Sequence, residues 1–126
     1  MDERFRQSLL YDFYGELLSE HQKDVYSAAI FDDMSYSELA DEFGCTRQAA
    51  FDLIRRTNQK LEGYEKRLGL VTRFTEAKEN NQAVTELLTK AGKYIENSDM
   101  DNKDKKELSN YLDQIGKISE EVFDNF

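Results

Sequence analysis

The chain has 126 residues, with 17 Lys plus Arg against 26 Asp plus Glu, no Pro, no Trp, one Cys and one His, and a formal charge of −9. That length holds one domain, or one with an appended arm, and excludes a large multidomain enzyme. A lone Cys and a lone His exclude an internal disulfide and a Cys/His zinc cage, so neither a metal nor a cofactor is expected.

Met1-Asp2-Glu3 lacks the basic start and apolar run of a signal peptide, and no stretch approaches the roughly 20 apolar residues of a membrane span. The expectation is a cytoplasmic protein without a membrane partner. At 39% hydrophobic and 12% aromatic, the chain can bury a core despite 34% charged residues. Without Pro and with six scattered Gly, the residues that punctuate hairpins and sheets are nearly missing, which points to an all-α fold.

A first helix is predicted over about Phe5 to Leu18, with Phe5, Leu9, Leu10, Phe13 and Leu17 on one apolar face. Ser19-Glu20-His21-Gln22 has the form of a capping box and opens a second helix that runs to about Asp32. Asp33-Met34 make a turn, and Ser35-Tyr36-Ser37-Glu38 repeats the capping box, with Met34 and Leu39 placed as a hydrophobic staple. The third helix ends at Phe43-Gly44, because Gly tolerates the left-handed closing conformation.

Thr46 caps a fourth helix whose inward stripe is Ala50, Leu53, Ile54, Thr57, Leu61, Tyr64 and Leu68, weakened at Gly63 by about 1 kcal/mol relative to Ala. The tail from residue 71 has two further repeats. Phe74, Ala77, Asn81, Val84, Leu88, Ala91 and Ile95 form one, and Leu108, Tyr111, Ile115, Ile118 and Val122 the other, on either side of a polar turn at Asn97 to Asn102. Asn81 reads either as a register-fixing seam residue or as a surface residue beside a helix break at Asn80-Asn81. The organisation expected is a helix-turn-helix domain over 1–70 and a helical hairpin over 71–126, serving as a homodimer interface or as an internal brace.

Tyr36 to Arg55 has the layout of a helix-turn-helix, in which two short helices cross steeply and need a small residue at the approach, a Gly at the turn and apolar residues between. Ala40 and Gly44 meet the first two needs, and Leu39, Phe43, Cys45, Ala50 and Leu53 the third. The outward face of the fourth helix then carries the candidate site. Thr46, Arg47, Gln48, Phe51, Asp52 and Arg55 fall on the turns that enter a major groove, where Arg pairs with guanine and Gln with adenine. Arg56 and Lys60 are candidates to hold phosphates. From Cys45 to Lys60, four cations stand against Asp52 alone, a local +3. Phe51 either touches a thymine methyl, anchors a protein interface, or packs under the first helix or the tail.

The run Met34-Ser35-Tyr36-Ser37-Glu38-Leu39-Ala40-Asp41-Glu42-Phe43-Gly44-Cys45-Thr46-Arg47-Gln48-Ala49-Ala50 resembles the fourth region of bacterial sigma factors. It is closer still to the YlxM family of small helix-turn-helix proteins. Phe13-Tyr14-Gly15-Glu16-Leu17-Leu18, Ile54-Arg55-Arg56-Thr57 and Tyr64-Glu65-Lys66-Arg67-Leu68 match that family's layout, and the similarity covers about residues 5 to 74. The resemblance implies a DNA-binding regulatory fold and a part in the signal recognition particle pathway, with DNA, the particle's protein or its RNA as partners.

The first seventy residues hold 9 basic and 14 acidic side chains, so weak DNA binding by the isolated chain is expected, and a protein or RNA-protein partner stands as the alternative. No enzyme chemistry is indicated. Cys45 has no His near it in sequence and reads as a buried turn residue, no Gly-rich phosphate loop is present, and His21 reads as a helix-start residue.

Overall fold

A computed structural model describes residues 2–126 and contains six α-helices and no strand among them. They are α1 (Glu3–Tyr14), α2 (Glu20–Ile30), α3 (Tyr36–Phe43), α4 (Arg47–Leu68), α5 (Leu70–Glu96) and α6 (Asn102–Asp124). The chain divides into two compact units, one ending at Thr72 and the other spanning Arg73–Phe126.

In the first unit, side chains fix each helix start. The Gln22 amide donates to Ser19 Oγ (3.2 Å) while the Ser19 amide donates to Gln22 Oε1 (3.1 Å), a complete capping box. Ser35 and Glu38 form a second box with both distances at 3.1 Å, and the Ala49 amide donates to Thr46 Oγ1 (3.0 Å). Each cap satisfies amides that the helix leaves without partners, for about 1 kcal/mol apiece.

The core is built where α1, α2 and α3 pack on α4. Leu10, Tyr26, Leu39 and Leu61 are fully excluded from solvent, and Tyr14, Ala50 and Val71 nearly so. Tyr26 donates its hydroxyl proton to Asn58 Oδ1 (2.9 Å), and burial pushes its pKa up. Arg6 on α1 makes a paired contact with Glu62 on α4, its Nε and a terminal nitrogen each 2.8 Å from a carboxylate oxygen.

The expected first helix is cut short. After Tyr14 the chain tightens into a single 3-10 turn over Gly15–Leu17, which rotates the following residues. Leu18 is therefore buried and Leu17 exposed, the reverse of a continued α-helix, and Tyr14 joins the core while Phe5 stays half exposed. The inward stripe of α4 holds at Ala50, Ile54, Thr57 and Leu61, but Leu68 is exposed and the buried residue on its last turns is Glu65.

Glu65 explains how α5 starts. Gly69 closes α4 in the left-handed conformation (φ 66°), and α5 follows at once with no residue free to cap it. Glu65 reaches across that junction, accepting from Tyr14 Oη (2.6 Å), the Val71 amide (2.9 Å), the Thr72 amide (3.1 Å) and Thr72 Oγ1 (2.8 Å). The Leu70 amide donates to Tyr14 Oη (3.0 Å). A carboxylate at a helix N-terminus also meets the positive end of the helix dipole.

In the second unit, α5 and α6 run antiparallel. Phe74 stacks on Phe123 with centroids 5.4 Å apart, Ser119 Oγ donates to Asn81 Oδ1 (2.8 Å), and Lys105 Nζ donates to the Glu96 carbonyl (3.0 Å). Gly116 lies against Leu88, where a Cβ would sit 3.3 Å from its methyl. α5 is unbroken at Asn80-Asn81, and Asn81 is a seam residue.

The α5 repeat from Phe74 to Ile95 forms its side of the seam as the sequence predicts. The α6 repeat does not. Leu112, Gly116, Ser119 and Phe123 face α5, one position along, because Gly116 permits close approach, Ser119 satisfies Asn81 and Phe123 reaches Phe74. Leu108, Tyr111, Ile115, Ile118 and Val122 are left exposed.

Candidate nucleic-acid interface

Two short pieces of geometry aim the N-terminal half of α4 outward. Gly44 adopts φ 68° and ψ 40°, and the amides of Gly44 and Cys45 both close on the Ala40 carbonyl, which stops α3 and turns the chain sharply into Thr46. Leu39 and Ala50, both buried, then bring α3 and α4 together around that turn. A Cβ at Gly44 would meet nothing within 4 Å, so Gly44→Ala tests the backbone conformation alone. It is expected to cost about 1 kcal/mol, read as a lower denaturation midpoint with an unchanged denaturant slope.

The remaining turn residues divide. Ala40, Phe43 and Leu53 are half-buried, and Phe43 meets the His21 ring edge-on at 6.2 Å. Cys45 is exposed, which corrects its expected burial. Its amide, bonded to Ala40, serves the turn, while the side chain leaves the inter-helix contact to Leu39 and Ala50.

Thr46, Arg47, Gln48, Phe51 and Arg55 are all exposed. At about 100° of rotation per residue, Arg47, Phe51, Arg55 and Gln48 share a sector of roughly 100°, centred about 90° round from the Ala50–Ile54–Leu61 stripe. Arg56 and Lys60 lie about 100° further round, on the flank. The geometry thus sets the candidate residues in two separate groups. Lys60 also approaches α2, its Nζ 3.4 Å from Gln22 Oε1.

Asp52 lies about 40° beyond that sector, opposite the buried stripe, and holds two of its members. Gln48 Nε2 donates to Asp52 Oδ1 (3.3 Å), and an Arg55 terminal nitrogen lies 3.7 Å from the same oxygen. Arg47 and Arg56 have no hydrogen bond or ion pair among the described residues.

Phe51 is an exposed aromatic. It is 41% exposed and meets the ring of Tyr36, at the start of α3, edge-on at 5.3 Å. Tyr36, Arg47, Gln48 and Phe51 together line a shallow depression on the surface. Sequence reasoning left Tyr36 out of the site. Its signal was the capping box itself, which puts Tyr36 at the first position of α3, beside the start of α4.

This layout is matched by sequence comparison. Residues 1–108 match the UPF0122 family, described as "Putative helix-turn-helix protein, YlxM / p13 like". The chain belongs to that family. Among its relatives, the UPF0122 protein of Halalkalibacterium halodurans is 40% identical over 90 residues, 71% of this chain and 83% of its own length. That of Exiguobacterium sibiricum is 45% identical over 78 residues, 62% of this chain and 74% of its own. That of Listeria innocua is 41% identical over 85 residues, 68% of this chain and 77% of its own. The family resemblance read from the Met34–Ala50 run holds, and it extends to Leu108, well past the Phe74 limit seen in the sequence. Among the described residues, no helix is long and apolar enough to cross a membrane.

Proposed function

We propose that this UPF0122 chain is a cytoplasmic, non-enzymatic DNA-binding regulator that sets the outward face of α4 into the major groove. The observation that carries this reading is the common exposure of Arg47, Gln48, Phe51 and Arg55 on the first turns of a helix fixed by the Gly44 turn. Arg offers a fork of donors to guanine, Gln a donor and acceptor to adenine, and Phe an apolar edge to a thymine methyl. Arg56 and Lys60, on the flank, supply phosphate contacts that fix register without reading sequence. A homodimer joined through the helical tail presents two such helices, and the tail sets their spacing.

Binding is weak in a single copy, because a chain of −9 repels the duplex outside a local patch of +3. A salt titration against a duplex library tests this. With Arg56, Lys60 and the start of α4 each neutralising a phosphate, log affinity should fall by roughly 3 per log unit of salt and show sequence preference. A flat salt response, or no preference in any duplex, rejects the reading.

The exposed Tyr36–Phe51 pair supports a second reading, since aromatic anchors beside an Arg are also the chemistry of a protein interface. On that reading the chain is an adaptor that docks on the signal recognition particle protein or its RNA and tunes its GTPase cycle. Capture of the particle protein, with its GTP turnover measured with and without this chain, separates the two.

A further inference from the structure

The hairpin of α5 and α6 has two unlike faces. Paired positions across its seam (74 with 123, 81 with 119, 88 with 116) sum to about 200, which places each residue of one helix at the level of a known residue on the other. Leu87 lies level with Ile115 and Tyr94 with Leu108. In an antiparallel pair, the residues three after Val84 and Ala91 on α5 and those one before Gly116 and Phe123 on α6 flank the seam on the same side. Leu87, Tyr94, Leu108, Ile115 and Val122 are those residues, and Tyr111 and Ile118 extend the face around α6. All seven are exposed, from 36% at Leu108 to 78% at Tyr94. The other side of the seam is lined by Thr85, Gly92, Asp113 and Glu120 and is polar.

We infer that this apolar face is covered by the same face of a second copy, giving a four-helix bundle. The inference deepens the dimer in the proposed function and rests on that part of it. Three observations select this occupant. Counting roughly 150 to 250 Å² for each fully exposed large side chain, the face offers on the order of 700 Å², close to the roughly 800 Å² per partner of a stable interface.

The α6 stripe recurs at spacings of three, four, three and four, which demands a helix as its partner, and α5 with α6 supplies helices of matching length (27 and 23 residues). Charge agrees as well. Lys90, between Leu87 and Tyr94 on α5, is the charged residue at the edge of the face. A two-fold axis along the hairpin lays α5 of each copy over α6 of the other, all neighbours antiparallel, and brings Lys90, which has no ion pair among the described residues, to the rim near Glu107. The family match ends at Leu108, so most of this stripe lies in the chain's own last 18 residues (126 − 108).

The test is sedimentation of the full chain. The wild-type protein is expected at twice its 14.8 kDa mass in the micromolar range. Ile115→Glu, half exposed in the hairpin, should keep the helical spectrum while weakening dimerisation by about 100-fold, because a carboxylate is buried without a partner at the centre of the face. Asp113→Lys, on the polar side, should leave the dimer intact. A monomeric wild type, a dimer indifferent to Ile115→Glu, or one broken equally by Asp113→Lys overturns the inference. DNA binding scored in parallel keeps the two proposals separate. If Ile115→Glu is monomeric and still prefers one half-site, the helix-turn-helix reading stands on its own.

Discussion

Glu65→Gln is expected to lower stability by about 2–3 kcal/mol, the largest loss from a change of so few atoms in this chain. Glu65 accepts four hydrogen bonds from three residues, two of them the opening amides of α5. A glutamine keeps one acceptor oxygen and turns a donor toward the other pair, so either the Val71 or the Thr72 amide loses its partner. It also removes the charge that strengthens the remaining bonds and complements the helix dipole. Urea denaturation of the variant at neutral pH measures the loss. An effect below about 0.5 kcal/mol would mean that α5 is capped by something other than this carboxylate.

The same carboxylate gives stability an acid limit. Burial raises its pKa, but the bonds from Tyr14, Val71 and Thr72 together outweigh burial and hold it below the ordinary value. Glu62 is likewise lowered, chiefly by its hydrogen bond from Arg6. A group with a depressed folded pKa contributes its stability above the unfolded value, about 4.3 for Glu, and loses it as pH falls through the folded value. Stability should therefore be flat near neutrality and fall below about pH 4, and Glu65→Gln should make that fall shallower.

Local chemistry was legible in the sequence wherever a residue acts on its near neighbours. Ser19, Ser35 and Thr46 cap the helices they were expected to cap, and Gly44 closes α3, because a side chain reaching a backbone amide three residues on needs no tertiary information. Choices between faces were legible on α4 and α5 but not at the end of α1 or on α6. Leu17 and Leu18 exchange roles because a 3-10 turn rotates the chain by a fraction of a turn, and periodicity cannot anticipate where α-geometry stops.

On α6 the larger apolar repeat lost the seam to Leu112, Gly116, Ser119 and Phe123, since close helix approach rewards small size and a partner for Asn81 above hydrophobicity. Glu65 was hidden for a related reason. A carboxylate on a long charged helix reads as a solvated residue until the start of the next helix is brought against it.

The second large effect is expected at the Asp52 cluster. Arg55→Ala should reduce duplex affinity by about 10- to 100-fold, the 1–3 kcal/mol of a lost bidentate base contact, and relax preference at one base pair. Asp52→Asn should act in the opposite sense. In the free chain Asp52 accepts from Gln48 and lies 3.7 Å from Arg55, so two of the side chains proposed to read bases are turned toward their own helix. On the proposed reading the carboxylate also stands close to the groove, where it repels phosphate. Neutralising it removes that repulsion and releases Arg55, for an expected gain of about 3- to 10-fold at low salt that shrinks as salt rises. Added to Arg55→Ala, the substitution should recover only the repulsion, so the double variant should show less gain than Asp52→Asn alone, and the shortfall measures the Asp52–Arg55 coupling. Fluorescence anisotropy with one duplex across the four proteins closes the cycle. Equal gains with and without Arg55 would mean that Asp52 acts on the field alone and that Arg55 does not reach the bases.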